Sequence, residues 1–222
     1  MTSKILIGLQ NLTPIFETKI QNMSLNLGRT QFGDPANTGN VLTPEEAANL
    51  FNTWVLNPKL KVHMQQVGHL MKCWAAEKEM LDEAGQWKWE MAGLLHDADW
   101  DQWPELHCKK IIEELEQRDI DPEIIRAIAS HGHLHFGVEP VTNMDKMLYA
   151  FDELSGLIHA YSLMRPGGYE GMDTKGVKKR LKEKSFAANV SREDIQDACD
   201  RANIQLDELI AFIIPRQATV TG

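Results

Sequence analysis

From residue 43 onward the hydrophobic positions recur with helical spacing. In Leu60–Ala84, Val67, Leu70 and Trp74 share one face, and His63 begins that same i, i+4, i+7, i+11 series. Ile124 and Ile128 mark one face of Pro122–Gly132. Leu148, Phe151, Leu154 and Ile158 mark the inward side of Met144–Met164, and Ile111 that of Glu105–Arg118. Start signals agree with these segments. Thr43-Pro44-Glu45-Glu46 combines a capping box with proline at the first helical position, and Asp121-Pro122 repeats the cap-and-proline pair. Thr142 with Asp145 and Ser191 with Asp194 are further capping-box-like starts. No alternating strand pattern, internal repeat or low-complexity tract competes. The pattern predicts an all-α fold of about eight helices between Thr43 and Pro215.

Residues 1–40 have weak periodicity and a polar stretch from Asn26 to Asn40 rich in Gly, Asn and Pro. They read as a short, poorly defined and partly ordered extension, with room for a strand at Lys4–Leu9. The expected organisation is this extension, a helical domain over 41–215 and a tail over 216–222.

Composition narrows the function classes. A hydrophobic content of 43% supplies a real core, and a net charge of −9 argues against general nucleic-acid binding, which needs a basic footprint. No apolar run approaches the roughly 20 residues that span a bilayer, and the first residues lack a signal-peptide apolar core and cleavage site. Cys73, Cys108 and Cys199 are odd in number, far apart and form no CxxC pair, which fits a reduced, cytoplasmic compartment.

The chemistry lies in polar side chains on apolar faces. His63 sits on the Val67–Trp74 stripe, and His96-Asp97 closes the run Met91-Ala-Gly-Leu-Leu-His-Asp. His107 lies one turn before Ile111, His131 continues the Ile124–Ile128 face, and Asp152 follows Leu148 by four. Imidazoles and carboxylates are costly to bury without partners. Singly, each reads as a satisfied core histidine or a helix-to-helix hydrogen-bond anchor. Together they share one simple partner, a bound metal. Two nitrogens with one or two carboxylate oxygens suit Fe, Mn, Co, Ni or Zn, with Mg less favoured by imidazole.

The order His63 in Lys61-Val-His-Met, His96-Asp97 in Gly-Leu-Leu-His-Asp-Ala-Asp, and Asp152 in Asp-Glu-Leu-Ser-Gly-Leu-Ile resembles the HD-domain superfamily of metal-dependent phosphohydrolases. Leu163-Met-Arg-Pro and Lys182-Glu-Lys-Ser-Phe-Ala also resemble a bacterial subgroup of predicted HD hydrolases. The resemblance covers about residues 50–215. It implies a helical bundle with a metal at its middle and leaves the substrate open. His63, His96, Asp97 and Asp152 form the expected metal set. On the pattern of binuclear HD proteins, His107 and His131 are candidates for a second ion. The alternative reading makes His107 a hydrogen-bond donor behind the ligands and His131 a helix C-terminal residue favoured by the dipole.

A metal in that setting acidifies its bound water and neutralises a phosphoryl oxygen, with Asp97 as the catalytic carboxylate that orients the water or takes its proton. The expected activity is hydrolysis of a small anionic phosphorylated substrate, a phosphomonoester or nucleotide. A di-iron oxygenase on the same scaffold and a non-catalytic metal or nucleotide sensor are the alternatives. Asp99 and Asp101 read as solvated loop residues, with a role behind the ligands as the other option. Positive charge for an anion comes from the basic run over residues 175–184. Lys178, Lys179 and Lys182 are its substrate-binding candidates, joined by Arg165 and, near a helix start, Arg192. His133 and His135 follow Gly132 and read as loop residues outside the site.

Overall fold

The computed structural model describes residues 38–220, which form an all-helical fold. In chain order the α-helices are α1 (Pro44–Trp54), α2 (Pro58–Glu77), α3 (Glu83–Leu95), α4 (Lys109–Gln117), α5 (Pro122–Ser130), α6 (His133–Phe136), α7 (Asn143–Met164), α8 (Thr174–Lys182), α9 (Arg192–Ala202) and α10 (Leu206–Gln217). A 3₁₀ turn, Pro104–Leu106, precedes α4. The expected caps form: Thr43 and Thr142 each complete a reciprocal capping box, with Glu46 and Asp145. Asp121 caps α5 through Glu123 N–H and Ser191 caps α9 through Asp194 N–H. No helix among the described residues is long and apolar enough to cross a membrane.

The long helix α7 is the axis of the fold, with α2, α5, α9 and α10 packed around it. Its Leu148, Phe151, Leu154 and Ile158 are buried. Against it, α2 contributes Met64, Val67, Leu70, Met71 and Trp74, and Trp74, Phe151 and Phe212 form an aromatic cluster with α10. Helices α2 and α3 pack backbone to backbone. A Cβ on Gly93 would lie 2.8 Å from Gly68 Cα, and a Cβ on Gly68 would lie 3.1 Å from the Glu90 carbonyl oxygen. Only glycine at both positions permits this approach. It draws the end of α3, with His96 and Asp97, toward the face of α2 that carries His63.

Three expected boundaries change. Leu60–Ala84 is not one helix: α2 stops at Glu77, Leu81 N–H turns back to the Ala75 carbonyl at 2.9 Å, and Asp82 caps α3 through Gly85 N–H. Glu105–Arg118 is likewise broken. His107 stands in extended backbone between the 3₁₀ turn and α4, because Asp99 reaches the start of that helix and accepts from Ile111 N–H at 3.0 Å. At the C-terminus, the boundary drawn at residue 215 falls inside α10. Gln217 is fully buried and Val220 O accepts from Gln66 Nε2 at 3.3 Å. At the other end Asn40 pairs with the Asp119–Asp121 segment, donating to Asp119 O at 2.7 Å and accepting from Asp121 N–H at 2.9 Å. The possible strand at Lys4–Leu9, like most of the 1–40 extension, lies outside the described residues.

Candidate metal centre

Five chain segments bring the six ligand candidates together. His63 comes from the second turn of α2, His96 is the C-terminal cap of α3, and Asp97 follows it. His107 enters from the segment before α4, His131 caps the end of α5, and Asp152 lies within α7. Neighbouring residues inside a helix diverge by about 100°. At the end of α3, both His96 and Asp97 face the same centre.

The donor atoms fall into two trios, His63–His96–Asp152 and Asp97–His107–His131, each with its atoms within 4.8 Å of one another. Asp152 Oδ1 lies 2.9 Å from His63 Nε2 and 3.4 Å from His96 Nε2. Asp97 joins the trios. Its Oδ1 lies 3.3 Å from His107 Nε2 and 3.4 Å from His131 Nε2, while its Oδ2 faces His96 Nε2 at 3.6 Å. An ion bound at about 2.1 Å keeps its donors within about 4.2 Å of each other, so each trio needs only a small contraction to hold one.

The imidazoles are set up as ligands. His96 Nδ1 donates to Gly93 O at 2.7 Å, His131 Nδ1 to Ile128 O at 2.6 Å and His107 Nδ1 to Asp99 Oδ1 at 2.6 Å. Carbonyls and a carboxylate accept, so the proton of each neutral ring belongs on Nδ1 and the Nε2 lone pair faces the centre. His96 is fully buried and its Nε2 has no hydrogen-bond partner. A buried polar atom of that kind calls for a partner. The nitrogen–oxygen donor set fits a divalent transition ion, and its identity is left open by these donors.

Without a metal the same groups neutralise one another. Burial opposes a charge on His96, yet the Asp97 and Asp152 carboxylates overcome it and raise the pKa to about 9. His107 is raised against burial by its Asp99 hydrogen bond and by Asp97. Burial works against ionised Asp97 and Asp152, but His96, His131 and His107 hold Asp97 low, and His63 and His96 hold Asp152 low. Glu153 accepts from Ser191 N–H at 3.1 Å, and burial with the neighbouring Asp152 carboxylate pushes its pKa up to about 8.

Two readings change here. Asp99 is not a solvated loop residue: it is fully buried and supports both His107 and the start of α4. Asp101 does lie in the loop, but its Oδ2 accepts from Leu56 N–H and Asn57 N–H, at 2.7 and 2.8 Å, and ties that loop to the α1–α2 turn. His133 is also not a loop residue. It starts α6 and is buried, with Nε2 3.2 Å from Arg201 Nη2, away from the two trios. Trp100 packs edge-on to His107 at 4.9 Å, and Phe136 lies 5.4 and 5.6 Å from the His107 and His131 rings. This side of the centre is walled by aromatic groups.

The basic candidates are not gathered with the ligands. Lys178 pairs with Asp207 at 2.7 Å, and Arg165 Nη1 donates to Gly168 O at 2.7 Å with its guanidinium over Tyr161. Lys179 and Lys182 are exposed on α8. Among the described residues none of these four contacts a member of either trio. Arg192 donates to the carbonyls of Leu181, Glu183, Phe186, Ala187 and Val190, which organises the loop before α9 and leaves it no free fork for a phosphate.

No family model, curated protein or solved structure matches the chain. The helical fold and the His/Asp group that can bind metal are compatible with an HD-type fold.

Asp99 leads to one expected result. Asp99→Asn keeps the side-chain shape but cannot accept from both His107 Nδ1–H and Ile111 N–H. Metal affinity at the Asp97–His107–His131 trio should fall by about 10–100-fold, while the other trio keeps its ion. Stepwise cobalt titration followed by optical spectroscopy checks this, and two unchanged binding steps would contradict it.

Proposed function

We propose that this chain is an HD-type metal-dependent phosphohydrolase acting on a small phosphomonoester or nucleotide through a two-ion centre. One observation carries the reading: Asp97 presents one oxygen to each of two ligand trios, the arrangement of a bridging carboxylate. The motif order His63, His96-Asp97, Asp152 supports the HD assignment.

When bound, a pair of divalent ions supplies an acidified water and neutralises charge on a phosphoryl oxygen. The protein's part is positioning. His63, His96 and Asp152 would hold one ion and His107 and His131 the other, with Asp97 placed between the two trios. Asp99 keeps the His107 proton on Nδ1, and the Gly93 and Ile128 carbonyls do the same for His96 and His131. Trp100 and Phe136 exclude water behind His107. His63, Asp97 and Asp152 are the ligands with appreciable exposure, 21%, 17% and 18% of their side chains, so substrate approaches from their side.

The test is a panel of phosphomonoesters and nucleotides assayed with protein stripped of metal and then reloaded separately with Fe, Mn, Co, Ni or Zn. Turnover that disappears on stripping and returns with one or more ions is the expected outcome. Metal-loaded protein inert toward every phosphoester, but consuming oxygen with an organic substrate, would replace hydrolysis with the oxygenase reading. Tight binding without turnover would replace it with the sensor reading.

A further inference from the structure

Beyond the ligands, α2 and α7 meet again two helical turns from Asp152 in a buried polar network. Gln66 is fully buried. Its Nε2 lies 3.3 Å from Val220 O, 3.3 Å from His159 Nδ1 and 3.2 Å from the Tyr169 hydroxyl, and that hydroxyl lies 2.9 Å from His159 Nδ1. Gln217 donates to Gln66 Oε1 at 2.7 Å and to Ser155 O at 2.9 Å.

The proton positions follow. Ser155 O can only accept, so it receives the Gln217 amide hydrogens, and Gln217 then donates to Gln66 Oε1. The two Gln66 amide hydrogens go to Val220 O, which can only accept, and to the Tyr169 hydroxyl oxygen. The Tyr169 hydroxyl, its oxygen accepting from Gln66, donates its own hydrogen to His159 Nδ1 at 2.9 Å, so Nδ1 is an acceptor. The neutral ring then carries its proton on Nε2, on the side away from this network. Burial, with His63 nearby, lowers the pKa of His159 and keeps the ring neutral. Nothing in the metal site uses this donor.

Gly156 stands between the two contacts, one turn after Asp152 and three residues before His159 on a related face. A Cβ there would meet nothing within 4 Å. Glycine in mid-helix is otherwise unfavourable. The span from Asp152 to His159 along α7 is about 10 Å, enough for an organic group of ring size beyond a phosphoryl group.

We propose that the open space at Gly156 and the Nε2–H of His159 form the recess that binds the organic part of the substrate, and that they select a phosphomonoester whose ring-sized leaving group carries a hydrogen-bond acceptor. The proposal rests on the phosphoester reading above. Its test uses phosphonates, whose carbon–phosphorus bond stands where the scissile bond would be, so binding is read apart from turnover. Manganese-loaded protein is titrated calorimetrically with the 5′-phosphonate analogues of adenosine and uridine, with glucose 6-phosphonate and with inorganic phosphate. At least one ring-bearing phosphonate should bind about tenfold or more tighter than phosphate. His159→Phe and Gly156→Leu should remove most of that advantage and leave phosphate binding unchanged, and His159→Gln, which restores a donor, should recover part of it. A Cβ at Gly156 meets nothing within 4 Å and leucine improves helix propensity, and a melting temperature no lower than that of the unmodified protein separates loss of binding from unfolding. Ring-bearing phosphonates that bind no tighter than phosphate to the unmodified protein, or an advantage that survives both variants, would overturn the recess. Selective phosphonate binding without hydrolysis of any phosphoester would leave the recess standing and overturn the hydrolase reading alone.

Discussion

Asp97→Ala is expected to cost both metal positions and all measurable turnover. Metal content should fall from about two ions per chain to less than one, and the phosphoester rate by about 10³-fold or more, equivalent to at least about 4 kcal/mol of barrier. The size of the effect follows from the position of the carboxylate. Its two oxygens face three imidazole nitrogens across both trios, so its removal takes a donor from each and the charge between them. Asp152→Ala removes a donor from one trio only and should leave the His107–His131 position loaded. Elemental analysis of the two variants beside the unmodified protein, with the rate measured on the same samples, separates these outcomes. An Asp97→Ala protein that keeps two ions would show that Asp97 does not bridge. Loss of one ion from both variants would mean two independent sites.

The His/Asp group that can bind metal is legible in the sequence because burial makes it so. His63, His131 and Asp152 each interrupt an apolar helical face, and all three take part in the trios. His96-Asp97 was legible as a dyad at the end of an apolar run. The sequence pattern puts His107 inside a helix one turn before Ile111, whereas it stands in extended backbone ahead of α4. Asp99 makes the difference: Asp97-Ala-Asp-Trp-Asp has the look of a polar loop, yet Asp99 is fully buried. Its burial is set by the chain folding back over it, a long-range packing result that local polarity does not carry. The second acidic residue two positions after a ligand was the available signal.

The basic run shows the opposite limit. Six cations over residues 175–184 in an acidic chain suggested an anion site, but helical periodicity says only which residues share a face. It does not say what that face meets, and Lys178 meets Asp207 on α10. Gly68 and Gly93 were equally silent as sequence. Their role appears only once α2 and α3 are seen to touch at their backbones. Gly156 and His159 gave no signal beyond a mid-helix glycine and a histidine two turns past Asp152. The His159 tautomer is set by Gln66, Tyr169 and the segment from Gln217 to Val220, three places far apart in the chain.

Stripped of metal, the protein should be most stable near pH 4 to 4.5 and should lose stability as the pH rises from there through about 9, most steeply above 6.5. The sign is fixed by direction. His96 has its folded pKa raised from 6.5 to about 9, so its contribution is complete below 6.5 and disappears between 6.5 and 9. His107 is raised as well and acts in the same sense. Glu153 adds to the slope: its folded pKa of about 8 lies above its ordinary value, so the unfolded chain releases this proton first and gains as the pH rises from about 4.5. Asp97 and Asp152 are lowered, so their contribution is present above the ordinary carboxylate range and fails only in acid. Metal reverses the upper half of this profile. Ions compete with protons for the His96 and His107 nitrogens, so loading releases protons, weakens as the pH falls and gives its largest stabilisation where the stripped protein is weakest. The melting temperatures of stripped and manganese-loaded protein should therefore diverge from pH 6 to 9, by several degrees or more. A parallel pair of curves across that range would mean that the imidazoles and the ion do not compete for the same nitrogens, and the two trios would not be the metal centre.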